Sequence, residues 1–277
     1  LAMYGDACGG NQWQTIPGAG TDNLTLWYDM HPEGRLSRTL PRKYADRLEE
    51  LAQIRGRELA QVVLKISEDP MQEITGRISS KMESIPLPLA PPLSHEEARK
   101  LAADRKIPLD IGFVCKKDRS SNWIRSLLKH HAEGIPFPTK TTDLVLTGYG
   151  FLSHGPVTAP ELDELCETEF VCRPEEVIAV RIGPMPLVAM QGEVCAPIGM
   201  RIKDAFRTEM PIMVFGYLGT HNIYIPTREL VRLNVYQAKV IQDQYGSPCG
   251  WAPEVEDEMV KGVVRLVRSV LEEEAGE

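Results

Sequence analysis

Three groups of residues in this 277-residue chain have types and surroundings suited to chemistry. The first is the loop GDACGGNQ, Gly5 to Gln12. Its glycines let backbone N–H groups approach an anion, as in a phosphate cradle, but the Lys-Ser/Thr ending of a P-loop is missing and no helical pattern follows directly. Cys8 within it becomes a nucleophile only if the fold brings a histidine base near, His154 or His221; the plain alternative is a small residue in a tight loop. The second group is the six histidines, His31, His95, His130, His131, His154 and His221. No H-x-x-x-H or H-E-x-x-H pair puts two of them on one helical face. His95 falls inside a capping box, and His130 and His131 sit at a helix end where positive charge complements the dipole, so these three read as structural. His154, in SHGP, and His221, in GTHN, lie in irregular segments where ligands and acid–base groups occur, and they stay open. The third group is Glu193, in MQGEV, and Tyr224, thirty-one residues on in THNIYIPT. Gly192 removes the side chain beside the carboxylate and lets another group approach. Strand ends gather on one edge of a parallel or mixed sheet, so the acid and the phenol can converge there. Solvation of Glu193 and packing of Tyr224 are the plain alternatives.

The elements that must position these groups follow from periodicity and turn chemistry. Apolar residues Tyr44, Leu48, Leu51, Leu59, Val62, Val63 and Ile66 recur at three-to-four spacing and predict a long amphipathic helix over 40–66. Residues 74–91 alternate and then turn proline-rich, a strand running into an extended connector. Ser94-His95-Glu96-Glu97 is a capping box that opens a helix through Arg105. Another helix is expected over 120–132, ended by Gly134 and Pro136. Between Gly134 and Pro174 the periodicity is weak, predicting loops and a short helix over 160–166. VIAVRIGPMPLVAM, residues 177–190, predicts two strands around Gly183-Pro184. A helix over 196–207, a buried strand over 211–217 and an amphipathic helix over 255–274 complete the pattern, with Val260, Val263, Val264, Val267 and Leu271 on one face of the last. Helices alternate with strands and no low-complexity linker intervenes, so the expectation is one α/β unit across 1–277, a mixed sheet with flanking helices. Residues 1–36 stand apart as a glycine-rich, site-like loop region, an unusual way for a domain to begin.

Three strings, VIAVRIGPMPLVAMQGEVCAPIGMRIKDAF, PIMVFGYLGTHNIYIPTREL and VYQAKVIQDQYGSPCGWAPEVEDEMV, resemble in order and spacing the back half of the catalytic domain of the neutral/alkaline non-lysosomal ceramidases and their bacterial relatives. The helix containing Gly56, the KMESIPLPLAP strand and the opening YGDACGGNQ loop resemble the same family more loosely. In that family a Gly-Glu after the strand and a Tyr shortly before a Pro/Thr-Thr segment are zinc ligands, and they map onto Glu193 and Tyr224. Two departures qualify the resemblance. The family's serine nucleophile would fall near Asn11 or Gln12, and residues 1–36 contain no serine. The family's two histidine ligands precede this loop, so half of the metal site would come from elsewhere. Either His154 or His221 substitutes, or a second polypeptide carrying the N-terminal half supplies it. The resemblance thus implies half of a zinc-dependent amidohydrolase, acting on a small-molecule or lipid amide or on an ester by metal-activated water, with His221, Asn11 and Gln12 lining the substrate site. The immunoglobulin-like domain of animal ceramidases has no counterpart in this sequence. The alternative is a binding or scaffold subunit that keeps the fold without metal.

Composition is consistent with either outcome and excludes others. With 43% hydrophobic and 25% charged residues the chain is globular in class. Acidic residues outnumber basic ones by 39 to 31, giving a net charge of −8 and no basic patch, which argues against a nucleic-acid binder. No run of about eighteen apolar residues predicts a transmembrane segment, and the opening residues lack a signal-peptide pattern. The six cysteines, including Cys166 and Cys172, show neither zinc-knuckle nor C-x-x-C spacing and read as reduced thiols, leaning towards a cytoplasmic rather than a secreted setting.

Overall fold

The computed structural model describes residues 42–109, 121–144, 146–147, 150–151, 171–172, 176–218 and 223–272. The chain divides into two compact units, the described parts of which are 42–74 and 75–272. In the smaller, α1 (Arg42–Ser67) is the expected long helix. Its residues Leu59, Val62, Val63 and Ile66 form an exposed apolar stripe at helical spacing.

The larger unit begins with β1 (Ile78–Ser84), which runs into an extended connector. Then α2 (His95–Asp104) opens on the anticipated capping box: Glu97 N–H donates to Ser94 Oγ at 3.2 Å and Ser94 N–H donates to Glu97 Oε2 at 2.9 Å. α3 (Asn122–Glu133) ends at Gly134 in the left-handed conformation, φ 67°. Ala98, Ala102, Ile107, Trp123, Ile124 and Leu127 form a small core between these two helices. Three two-residue strands follow, β2 (Leu146–Thr147), β3 (Gly150–Phe151) and β4 (Val171–Cys172), in a sheet of order β3-β2-β4. Loops were expected across this region; strands this short leave no periodicity to detect. The helix expected over 160–166 lies outside the described residues.

The main sheet has the order β1-β5-β6-β8. β5 (Glu176–Ile182) and β6 (Met185–Gln191) form the expected hairpin, closing with Ile182 opposite Met185 around Gly183-Pro184. After β7 (Glu193–Val194), α4 (Ala196–Phe206) crosses to β8 (Met213–Leu218), which pairs parallel to β6. β9 (Tyr224–Ile225), α5 (Arg228–Leu233), α6 (Tyr236–Asp243) and α7 (Val255–Glu272) complete the unit. The architecture is therefore α/β with a mixed sheet and flanking helices.

α4 and α7 pack together and cover one face of the sheet, burying Val177, Ala179, Val188, Met190 and Val214. The buried stripe of α7 runs through Met259, Val263, Leu266, Val267 and Val270, while Val260, Val264 and Leu271 sit at its margin. α7 crosses close over the connector at Gly262, where an added Cβ would lie 2.7 Å from Cγ2 and 2.8 Å from Cδ1 of Ile85, itself buried. Gly262→Ala is therefore expected to lower stability by about 1–3 kcal/mol, although alanine favours helix, because the core has no room. Urea denaturation measures this; a stabilised variant would show that Ile85 yields freely.

The other face behaves differently. Ile178, Val180, Leu187, Ala189, Met213 and Phe215 are half-buried, and on edge strand β1 Ile78 and Met82 are exposed. β8 is thus less buried than its composition suggests, with only Val214 fully enclosed. β1 turns its polar residues towards α7: Lys81 Nζ donates to Ser269 O at 3.2 Å, and Glu83 pairs with Arg265 at 2.8 Å. Its apolar residues point away from the helices, the reverse of what a two-layer α/β unit needs.

The three histidines read as structural gather around Phe137. His130 is buried and stacked on that ring at 4.9 Å, His131 meets it edge-on at 4.9 Å, and His95 lies 5.6 Å from His131. His130 Nδ1–H donates to Pro136 O at 3.1 Å, and His131 Nε2–H donates to Leu93 O at 2.9 Å. Burial pushes the His130 pKa below its ordinary 6.5, and the neighbouring Lys129 and His131 act the same way. The unfolded chain then binds more protons below that value, so this contribution is complete above pH 6.5 and is lost as pH falls through the folded value. Stability measured from pH 7.5 downward should fall with an acid slope that is reduced in His130→Gln; an unchanged slope would remove His130 as its source.

Candidate functional site

The site forms where β6 ends. Gly192, with φ +83°, turns the chain out of β6, and an added Cβ there would stand 2.5 Å from the Ile223 carbonyl oxygen. The group that the missing side chain admits is thus the backbone entering β9. Glu193 N–H donates to Ile223 O at 2.8 Å and Cys195 N–H to Ile225 O at 3.1 Å. These bonds set β7 and β9 parallel, with Glu193 in register with Tyr224 and Val194 with Ile225. Alternation does the rest. Val194, Ile223 and Ile225 are fully buried, whereas Glu193 and Tyr224 are half-buried and share one side of the ladder, where neighbouring strands lie about 4.8 Å apart. The two residues singled out in the sequence are brought together.

Two further tyrosines join them. Tyr217, at the end of β8, donates its Oη–H to Glu193 Oε2 at 3.3 Å and its backbone N–H to Gly192 O at 2.9 Å. Its own backbone is left-handed, φ 61°, a conformation that disfavours a side-chain-bearing residue by roughly 1–2 kcal/mol. Tyr236, the first residue of α6, meets Tyr224 edge-to-face at 5.7 Å between ring centroids. Burial first, and the negative charge of Glu193 second, raise the Tyr236 phenol above its ordinary pKa and keep it protonated. Neither tyrosine stands out in the sequence. Tyr217 sits in an apolar run between Gly216 and Gly219, and Tyr236 reads as an ordinary helix-start aromatic.

One carboxylate and three phenols make an oxygen-rich set able to accept and donate hydrogen bonds and to ligate a cation. Glu193 and Tyr224 have the donor chemistry of two members of a larger metal shell, and Tyr217 donates a hydrogen bond to the carboxylate. Among the described residues no group of three or more His, Cys, Asp or Glu could hold a metal ion by itself. Asn11, Gln12, Cys8, His154 and His221 lie outside the described residues. Cys195 and Cys249 are buried, and burial pushes the Cys249 thiol up to about 12, so it is inert at neutral pH. No helix among the described residues is long and apolar enough to cross a membrane.

No protein-family model matches the chain, and neither does any curated protein. Among solved structures it is similar to a ceramidase complexed with C2, at 15% identity over 83% of this chain and 35% of that one with a TM-score of 0.39. It is also similar to the neutral ceramidase from Pseudomonas aeruginosa, at 15% identity over 87% of this chain and 34% of that one with a TM-score of 0.37. The chain spans about a third of the length of these structures.

Proposed function

We propose that this chain is part of a zinc-dependent amidohydrolase of ceramidase-like type, in which Glu193 and Tyr224 are metal ligands. The observation that carries this reading is the register of β7 against β9, which sets a carboxylate beside a phenol at the sequence positions where the resembling family has its zinc ligands. When bound, zinc lowers the pKa of water and polarises a carbonyl, the chemistry that amide or ester hydrolysis requires. Glu193 supplies the charged donor, and the Tyr224 ring packs edge-to-face against Tyr236. The phenol of Tyr236, beside the Tyr224 ring and 45% exposed, is placed to donate a hydrogen bond to an oxygen of the substrate.

Two oxygen donors alone make a weak zinc site, so the reading includes imidazole donors from His154, His221 or a second polypeptide carrying the N-terminal half. The half-buried apolar sheet face favours a partner, since Ile78, Met82, Val180 and Phe215 give it a surface to cover. Elemental analysis of the purified chain, alone and with any polypeptide that co-purifies, tests the proposal. One zinc per assembled complex is expected, with weak binding by the chain alone. An assembly without zinc would leave the metal-free scaffold as the better account, and full hydrolytic activity lost in Cys8→Ala would favour a cysteine nucleophile instead.

A further inference from the structure

β8 departs from regular pairing as it reaches the site. Met213, Val214 and Phe215 face Leu187, Val188 and Ala189 one for one, but Gln191 pairs with Leu218, so β8 carries one residue more than β6 across this stretch. Where a bulge contains a left-handed residue, that residue is ordinarily a glycine. Here Gly216 is adjacent, yet the left-handed backbone falls on Tyr217. An aromatic residue in that conformation persists only where its surroundings hold it. The Tyr217 N–H on the carbonyl of Gly192, at 2.9 Å, holds the backbone, and the side chain is thereby carried to the next residue, where its Oη–H donates to the half-buried carboxylate of Glu193 at 3.3 Å. Without the extra residue, strand alternation would send this side chain elsewhere; with it, the phenol meets the acid.

We propose that Tyr217 is a positioning residue that fixes the Glu193 carboxylate for metal binding. The inference rests on the zinc reading above and adds to it a residue that ligates nothing. A donor behind a ligating carboxylate orients it and limits the freedom lost on binding, and removing such a partner typically lowers metal affinity about 10–100-fold. Packing alone gives a different expectation. A tyrosine that only filled space would be replaced by phenylalanine with no effect on metal.

The test is a Zn2+ titration of the chain together with any polypeptide that co-purifies, followed by the ultraviolet difference spectrum of Tyr224 phenolate formation and by chelator competition. Tyr217→Phe keeps the ring and the bulge. It should weaken Zn2+ about tenfold while leaving the metal-free denaturation midpoint unchanged. On a Glu193→Asp background, whose shorter carboxylate falls short of Tyr217 Oη, the same substitution should add almost nothing. Wild-type affinity in Tyr217→Phe, an equal loss on both backgrounds, or a loss matched by a lower metal-free midpoint would each overturn the inference while leaving the zinc reading standing. A wild-type assembly that binds no Zn2+ would overturn both.

Discussion

Alanine at Glu193 is expected to weaken zinc binding by at least about 100-fold, a loss of about 2.8 kcal/mol or more of binding free energy, while shifting the metal-free unfolding midpoint little. The carboxylate is the charged donor of the pair, and alanine leaves nothing in its place. Stability should be spared because Glu193 is half-buried and its contribution to the fold is made through the backbone, by the N–H that bonds Ile223 O. Tyr224→Phe should follow the same course for a different reason: the ring keeps its edge-to-face contact with Tyr236, but the phenolate donor and its ultraviolet signature are gone. Chelator competition on the assembled protein reads both variants against wild type. Unchanged zinc affinity in Glu193→Ala would sink the assignment of the metal to this strand pair, whatever the fold resembles.

The elements that could be read from sequence are those whose signals are local. Ser94 and Glu97 cap α2 through bonds between residues three apart, Gly134 ends α3, and the β5–β6 hairpin turns at Gly183-Pro184, all with chemistry confined to a few neighbouring residues. The crossover from β6 through α4 to β8 also follows, because each part is long enough to show its period. β7 and β9 are not of this kind. Two residues carry no periodicity, and their pairing depends on a kink at Gly192 and a carbonyl at Ile223 that meet only in three dimensions. Spacing therefore allowed Glu193 and Tyr224 to converge without requiring it. Tyr217 was invisible for a related reason: alternation along β8 assigns side chains to faces, and the bulge breaks that alternation at the position whose phenol reaches the acid. The inverted polarity of β1 was likewise hidden, since Ile78 and Met82 alternate with Ser79, Lys81 and Glu83 correctly, and only the placement of α7 tells which face is covered.

The same dependence on Gly192 makes it the most sensitive small residue of the site. Gly192→Ala meets two penalties: a left-handed backbone that alanine disfavours by about 1–2 kcal/mol, and a Cβ placed 2.5 Å from the Ile223 carbonyl oxygen, a distance that forces the strands apart. Relief of that clash stretches the bonds from Glu193 N–H to Ile223 O and from Cys195 N–H to Ile225 O, each worth about 1 kcal/mol. A total loss of about 2–4 kcal/mol is expected from these contributions. Gly134→Ala separates the two penalties. Gly134 is also left-handed, at φ +67°, but an added Cβ there has nothing within 4 Å, so only the backbone preference should be felt. Urea midpoints for the two variants should therefore differ by at least about 1 kcal/mol, with zinc affinity falling only in Gly192→Ala because only there do Glu193 and Tyr224 leave register. Equal stability losses would mean that β9 shifts without strain, and the close approach of Gly192 to Ile223 would then have no part in holding the site together.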